Sequence, residues 1–356
     1  MREFLLKPVF QVGDDSYCWA DVALAAVVWG DWDRLRRETR EGLACLRSYR
    51  DTGRPLPEAE IDGAAADFRY ERELISAQEA EEWFARWGMS AREWMEYIRR
   101  SVLRVRLGSR LPEVLARHPV SDDDVAAVAG VEAICSGLLT RLAPKVAARA
   151  AAHEQLRGAH QNGGPLHTDE EVAAMVGGFP GDVKSLGLDL DDDTLAASAR
   201  RLARLELSLR DFRTAVVTPR AVADQISSHH LDWIRVTYQT LIYPAESMAR
   251  EALLCVREDG MDFPDLAAST AVGDLRYEEH WIGEMSGPLH AGLLGARAGE
   301  VLGPFPINGG HALLRLTDKR LPSPEDEQVR SRAETAALQR ALSNELQSRV
   351  HWLTAL

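Results

Sequence analysis

The hydrophobic period of the chain changes at Trp233. Before this residue, apolar side chains recur at helical spacing, and capping residues precede successive segments. The segment WIRVTYQTLIY, residues 233–243, alternates instead and is rich in β-branched and aromatic residues, which is typical of a strand. A long helical region followed by a mixed region predicts an α+β fold with more than one domain, and 356 residues are enough for that.

Local capping signals predict where several helices begin. In a capping box, a Ser or Thr side chain and an acidic side chain three residues later each bond the other residue's backbone. Gly88 is expected to end one of these helices, and Pro144 is expected to kink or divide another. The four pairs with this spacing are Ser76 and Glu79, Ser90 and Glu93, Ser121 and Asp124, and Thr168 and Glu171.

The order of the segments predicts three parts. Residues 1–230 form a mostly helical domain, and residues 231–322 form a small α+β domain. Residues 323–356 form a C-terminal helix that packs on the helical domain.

The charge of the chain restricts its partners. A formal net charge of −13 repels phosphate backbones and anionic lipid, so neither nucleic acid nor a membrane surface is an expected partner. No cofactor or metal is expected, because the chain lacks a phosphate-binding loop, a nucleophile elbow and an HExxH motif. His280 and His290 have no acidic partner at a metal-ligand spacing.

The cysteines indicate a reducing compartment. Cys18, Cys45, Cys135 and Cys255 are far apart, form no CxxC pair and have apolar neighbours, so we expect buried free thiols. The N-terminal apolar run is broken by Lys7 and has no small-residue cleavage site, unlike a signal peptide. We therefore expect a cytoplasmic protein.

Two fragments in the second half carry motifs of a known family. The fragment Ala249–Ala267 has an amphipathic helix, a glycine turn, an aromatic residue and Leu-Ala, and Gly299–Pro322 has a GExxGP turn before a GxH strand. Together they resemble parvulin-type (PpiC/SurA-like) peptidyl-prolyl isomerase domains, in a divergent form, over residues 233–322. The motif residues are Gly260, Phe263, Leu266, Ala267, Gly299, Glu300, Gly303, Pro304, Gly309 and His311.

A looser resemblance covers the whole chain. A helical N-terminal region, a parvulin-like domain and a final helix is the layout of SurA-type and trigger-like chaperone isomerases. The segments LDWIRV, AREALLCVREDG and the terminal VHW are also similar to peptide maturation system proteins related to parvulins. This resemblance implies a peptide or unfolded protein as partner, including a precursor peptide and its modifying enzymes.

The parvulin resemblance implies a site with an altered polar core. The family has two facing histidines and a Cys, Ser or Asp near the substrate carbonyl. His311 matches the second histidine, but Gln239 stands where the first is expected and cannot reproduce an imidazole pair. Asp274 is the candidate for the third group, with Ser269 and Thr270 as weaker ones.

The same resemblance implies an apolar pocket for the proline ring. Met285 matches the family's methionine, while Leu289 and Leu294 replace its two aromatic residues. We expect these three side chains and His311 to line one groove, with Gln239 opposite His311.

Three functions follow as hypotheses. Isomerisation requires tighter binding of the twisted amide than of the planar one, and half of the polar machinery is missing. A peptide-binding chaperone is therefore favoured over an active isomerase that uses His311 and Gln239, and a structural adaptor that uses the helical domain alone is a third possibility. Trp83, Trp87 and Trp94 are expected either to pack in a core or to form an aromatic wall for a peptide.

Overall fold

The computed structural model describes residues 2–53, 56–160, 164–180, 190–270 and 275–354. Most of these residues are helical, and their strands form two antiparallel sheets, so the predicted α+β fold class is confirmed. The chain folds as two compact units. The first comprises Met1–Arg213 with Ala341–Leu356, and the second comprises Thr214–Arg340. The three parts inferred from the sequence have other boundaries and stay a prediction.

The first unit is built mainly from helices around one apolar core. A three-stranded sheet joins both ends of the chain, in the order β2, β1, β7, where β1 is Pro8–Val12, β2 is Asp15–Cys18 and β7 is Val350–Trp352. The helices that begin in this unit are α1 (Arg2–Leu5), α2 (Trp19–Val28), α3 (Asp31–Asp51), α4 (Glu58–Glu71), α5 (Ala77–Trp87), α6 (Ala91–Arg106), α7 (Leu111–Arg117), α8 (Asp122–Cys135), α9 (Leu138–Ala159), α10 (Asp169–Gly177) and α11 (Asp192–Val216).

All four predicted capping boxes form at the starts of α5, α6, α8 and α10. Gly88 ends α5 in the left-handed conformation at φ +60°, as expected. Pro144 was expected to kink or divide a helix, and it does not divide one, because it lies inside α9. The chain breaks earlier, where Gly137 adopts φ +69° between α8 and α9.

Aromatic residues fill much of the core of the first unit. Trp19, Trp87 and Phe4 lie within 5.5 Å of one another by ring centroids. Trp83 and Trp94 contact Phe68 and are also buried. Trp83, Trp87 and Trp94 therefore pack in the core of the first unit.

No single helix among the described residues is long and apolar enough to cross a membrane. Helices α8 and α9 reach that length and composition only as a pair, and they are bent by 71° relative to each other.

The second unit contains a four-stranded antiparallel sheet in the order β4, β3, β6, β5. Its strands are β3 (Arg235–Tyr243), β4 (Arg276–Trp281), β5 (Val301–Ile307) and β6 (Gly310–Arg320). Its helices are α12 (Pro219–Ser228), α13 (Glu246–Arg257), α14 (Phe263–Thr270), α15 (Gly287–Gly295) and α16 (Glu327–Arg349). Residues 327–340 of α16 belong to this unit and 341–349 to the first.

Each face of this sheet has its own apolar core. Leu241 and Leu313 pack with residues of α13 and α14 on one face. Val236 and Leu314 pack on the other face, with α15 and the 3₁₀ turn Ile282–Glu284. The alternation of side chains along β3 and β6 produces this division.

Candidate functional site

The three predicted pocket residues come together on the α15 face of the sheet. Met285, Leu289 and Leu294 are half-buried and pack against a buried cluster that includes Tyr238 and Leu314. Two further half-buried residues, Leu302 and Phe305 of β5, contact the same cluster. We call these five half-buried side chains the apolar patch, that is Met285, Leu289, Leu294, Leu302 and Phe305.

Phe305 supplies an aromatic ring that was not predicted from the sequence. A Cβ atom on Gly292 of α15 would lie 2.8 Å from Cζ of Phe305, so the glycine permits the ring to approach the helix. The signal in the sequence is the aromatic residue between two prolines in GPFPI, just after the glycine-proline turn. The patch therefore retains one aromatic side chain beside its leucines.

Lys319 of β6 fixes the C-terminal end of α15. Its Nζ donates to the carbonyl oxygens of Leu293, Leu294 and Ala296, at 3.3, 2.5 and 3.2 Å. The last carbonyls of a helix have no partner within the helix, and a cation there is also attracted to the negative end of the helix dipole. This contact holds the helix that carries Leu289 and Leu294 against the sheet.

Gln239 and His311 do not lie opposite each other, so that prediction is wrong. In the pairing of β3 with β6, Gln239 faces Arg315, whereas His311 faces Tyr243. Gln239 and Tyr243 are four residues apart, which corresponds to about 13 Å along a strand. The Gly309–Gly310 turn begins β6 beside the end of β3, and this register separates the two side chains.

The predicted polar residues also lie on the other face from the apolar patch. Side chains alternate along a strand, so Gln239 and His311 share the face of Leu241 and Leu313, under α13 and α14. The Gln239 amide donates to the hydroxyl of Tyr277 at 3.0 Å. Nδ1 of His311 is buried and has no hydrogen-bond partner among the described residues.

The third predicted polar residue, Asp274, lies outside the described residues. The same holds for the side chains of its weaker alternatives, Ser269 and Thr270. The catalytic roles suggested for Asp274, Gln239 and His311 stay predictions.

A different polar group lies on the α15 face. The hydroxyl of the buried Tyr238 donates to Glu278 at 3.1 Å and lies 3.1 Å from Nδ1 of His280. Burial and the neighbouring carboxylate of Glu278 raise the pKa of Tyr238 above its ordinary value of 10.0, so the hydroxyl keeps its proton. Because that proton is shared with Glu278, it is not free for a substrate carbonyl.

The pairing of β3 with β4 explains why these three side chains lie together. Tyr238 pairs with Glu278, and His280 pairs with Val236, so all of these residues point to one face. The sequence signal is the alternation of YEEHW, in which Glu278 and His280 share a side of the strand. Within the described residues, no three His, Cys, Asp or Glu side chains converge as a metal site would require.

Sequence comparisons give no match, either to a family model or to a curated protein. Solved structures do match. The peptidylprolyl isomerase PrsA from Bacillus cereus matches with a TM-score of 0.33 and 18% identity, over 64% of this chain and 87% of that chain. PrsA from Bacillus anthracis matches with a TM-score of 0.28 and 18% identity, over 56% and 93%.

A third match comes from the SurA-like chaperones PEB4 and Cj1289 of Campylobacter jejuni. It has a TM-score of 0.20 and 12% identity, over 62% of this chain and 88% of that chain. The structural neighbours are thus PrsA-like and SurA-like proteins, the group that the sequence motifs resemble.

Proposed function

We propose that this chain is a peptide-binding, chaperone-like protein whose parvulin-like unit holds peptide segments without accelerating prolyl isomerisation. One observation supports this most directly. The apolar residues Met285, Leu289 and Leu294 form a common patch with Phe305, whereas Gln239 and His311 lie apart and on the other face. An apolar patch can bind a proline or leucine side chain, but a twisted amide also needs polar groups aimed at its oxygen and nitrogen.

A two-part assay tests the proposal. The full chain is titrated into a fluorescein-labelled, uncharged peptide, GALPFG, and its effect on cis–trans exchange of the Leu-Pro bond is measured by NMR. We expect saturable binding without acceleration of exchange. Clear acceleration that disappears in His311→Ala would establish the alternative, an active isomerase.

Matched variants locate the binding. Leu289→Gln and Phe305→Ala are expected to weaken binding of this peptide about tenfold, because each removes apolar contact area. Leu254→Gln is the control, since Leu254 lies on α13 and is already 52% exposed. Binding that survives both patch variants would instead favour an adaptor that uses the helical unit alone.

We further propose that the bound peptide is a ribosomally made precursor, presented in the cytoplasm to the enzymes that modify it. The support is the resemblance of LDWIRV, AREALLCVREDG and VHW to peptide maturation system proteins, together with four free thiols. Peptides encoded beside the gene should bind at least tenfold more tightly than scrambled versions. Equal affinity for both would reject the precursor role and leave general peptide binding intact.

A further inference from the structure

The first unit contains a second candidate binding site. A cleft of about 660 Å³ lies beside α5. The end of α4 and the junction between α8 and α9 also line it. Its apolar lining comes from Trp83, Trp87, Leu74 and Ile134. All four are at least nine-tenths buried, so the cleft has a firm apolar floor.

The rim of this cleft is acidic. Four glutamates line it, against two arginines, which leaves a formal charge of −2 from these six residues. Arg72 is already engaged, since it donates to the carbonyl oxygens of Phe68 and Cys135 and stacks on the Phe68 ring. The glutamates are Glu71, Glu73, Glu79 and Glu82.

Two of these carboxylates already have local partners. Glu79 accepts hydrogen bonds as part of the capping box with Ser76, and Glu82 accepts one from the Gln78 amide. Glu71 lies 3.6 Å from Arg72 and is largely exposed. Glu73 has no hydrogen bond or ion pair to its carboxylate among the described residues, which makes it the carboxylate most available to a ligand.

Glu73 also has an unusual backbone conformation. It follows α4 with φ +57°, the only non-glycine residue of the described ranges at positive φ. Its N–H bonds Tyr70, and the next residue, Leu74, bonds back to Arg69, as at a helix end that ordinarily carries glycine. A glycine would fit this backbone with less strain, so replacing Glu73 by glycine removes the carboxylate without straining the fold.

Trp87 forms part of the floor of the cleft. This side chain lines the cleft and is 5% exposed, and its indole N–H, which has no hydrogen-bond partner among the described residues, is itself buried. A ligand in the cleft therefore meets the apolar ring of Trp87 and not its N–H.

We propose that this cleft binds an extended peptide segment in which Lys or Arg residues alternate with apolar residues. The cationic groups meet Glu73 and its neighbours on the rim, and the apolar side chains pack on Trp83 and Trp87. This cleft differs from the apolar patch in its location and in the class of peptide that it binds. It shares with the proposed function only that the ligand is a peptide. An acidic peptide is excluded by the same charges.

The test compares two labelled peptides on the full chain, GKLKFG and GELEFG, by fluorescence anisotropy. We expect the basic peptide to bind at least tenfold more tightly than the acidic one, and to bind more weakly as NaCl is raised. Equal affinity for both peptides would overturn the proposal, as would binding of the basic one that is insensitive to salt.

Glu73→Gly is the decisive variant, because it removes the carboxylate while easing the backbone. We expect it to weaken binding of the basic peptide about three- to tenfold while the melting temperature stays the same or rises. Glu113→Gln, an exposed glutamate on α7, is the control and should change nothing. Unchanged affinity in Glu73→Gly would reject this site.

Peptide binding at this cleft can be distinguished from peptide binding at the parvulin-like unit. Leu289→Gln should leave binding of the basic peptide unchanged, whereas Glu73→Gly should leave binding of the uncharged GALPFG unchanged. If Leu289→Gln weakened the basic peptide as much as Glu73→Gly does, the assignment to this cleft would be wrong.

Discussion

The backbone of Gly310 passes so close to Tyr243 that a Cβ atom at residue 310 would lie 2.2 Å from the Tyr243 carbonyl oxygen. Gly310 also has φ +148°, a conformation that side chains disfavour. This contact joins the end of β3 to the start of β6, the strand pair at the centre of the second unit.

Gly310→Ala is therefore expected to destabilise the protein by about 2–4 kcal/mol, through steric overlap and backbone strain together. Gly309→Ala is the matched control, because Gly309 also has positive φ, but a Cβ atom there would meet no atom within 4 Å. That control should cost only about 1 kcal/mol of strain. Urea unfolding followed by circular dichroism measures both, and equal losses would show that the contact with Tyr243 is unimportant.

The second prediction concerns a buried ion pair in the first unit. Nε of Arg100 lies 2.6 Å from Oε1 of Glu132, and the two side chains are 6% and 11% exposed. Arg100→Met should cost about 3–5 kcal/mol at pH 7, because it leaves a buried carboxylate without its cation. Adding Glu132→Gln to this variant should recover most of the loss.

The pH dependence of the Arg100→Met variant follows from Glu132. Burial raises the pKa of Glu132 above its ordinary value of 4.5, against the opposing effect of Arg100, and removing Arg100 raises it further. The folded state then binds a proton more tightly than the unfolded state, so the variant should gain stability as the pH falls from 7 toward 4.5. A loss of stability over that range, relative to the double variant, would contradict this account.

Contacts between neighbours in the sequence were predicted well. Ser76 with Glu79 and Ser90 with Glu93 form capping boxes because each is a contact within one helical turn, which requires no tertiary information. Strand β7 was missed for the opposite reason. It has three residues, and its partner Phe10 lies at the other end of the chain from Trp352.

The candidate site was predicted in part. Met285, Leu289 and Leu294 were predicted by matching them to the pocket positions of the parvulin family, and all three do pack against one buried cluster. They lie close in sequence, on α15 and at the turn before it, so their contact does not depend on the register of the sheet. The register of β3 against β6 was not predictable from the pattern. A shift by an even number of residues leaves every side chain on the same face, so alternation cannot distinguish Gln239 from Tyr243 as the partner of His311.

The third prediction concerns the attachment of α15. Lys319→Met removes the donor that bonds three carbonyl oxygens at the end of this helix, and should cost about 1–3 kcal/mol. Amide hydrogen exchange should rise across Gly287–Gly295 more than elsewhere in the second unit. Arg320→Met is the control, since Arg320 is exposed and its side chain bonds only Asp318 among the residues that the structure describes. Similar exchange in both variants would mean that Lys319 does not hold the helix.

The last prediction concerns a pair of histidines in the first unit. The buried Ser208 hydroxyl lies 2.7 Å from Nδ1 of His153 and 3.0 Å from Nε2 of His167. Burial lowers the pKa of His153 below its ordinary value of 6.5, and the nearby charges of Arg157 and His167 lower it further. The folded protein therefore resists protonation of His153.

The sign of the pH effect follows from this shift. A lowered pKa contributes stability that is present above pH 6.5 and is lost as the pH falls through the folded-state pKa. The melting temperature of the wild type should therefore fall between pH 7 and pH 5 more steeply than that of His153→Gln. His160→Gln, which changes an exposed histidine, should follow the wild type, and a His153→Gln profile as steep as the wild type would exclude His153 as the source of the pH dependence.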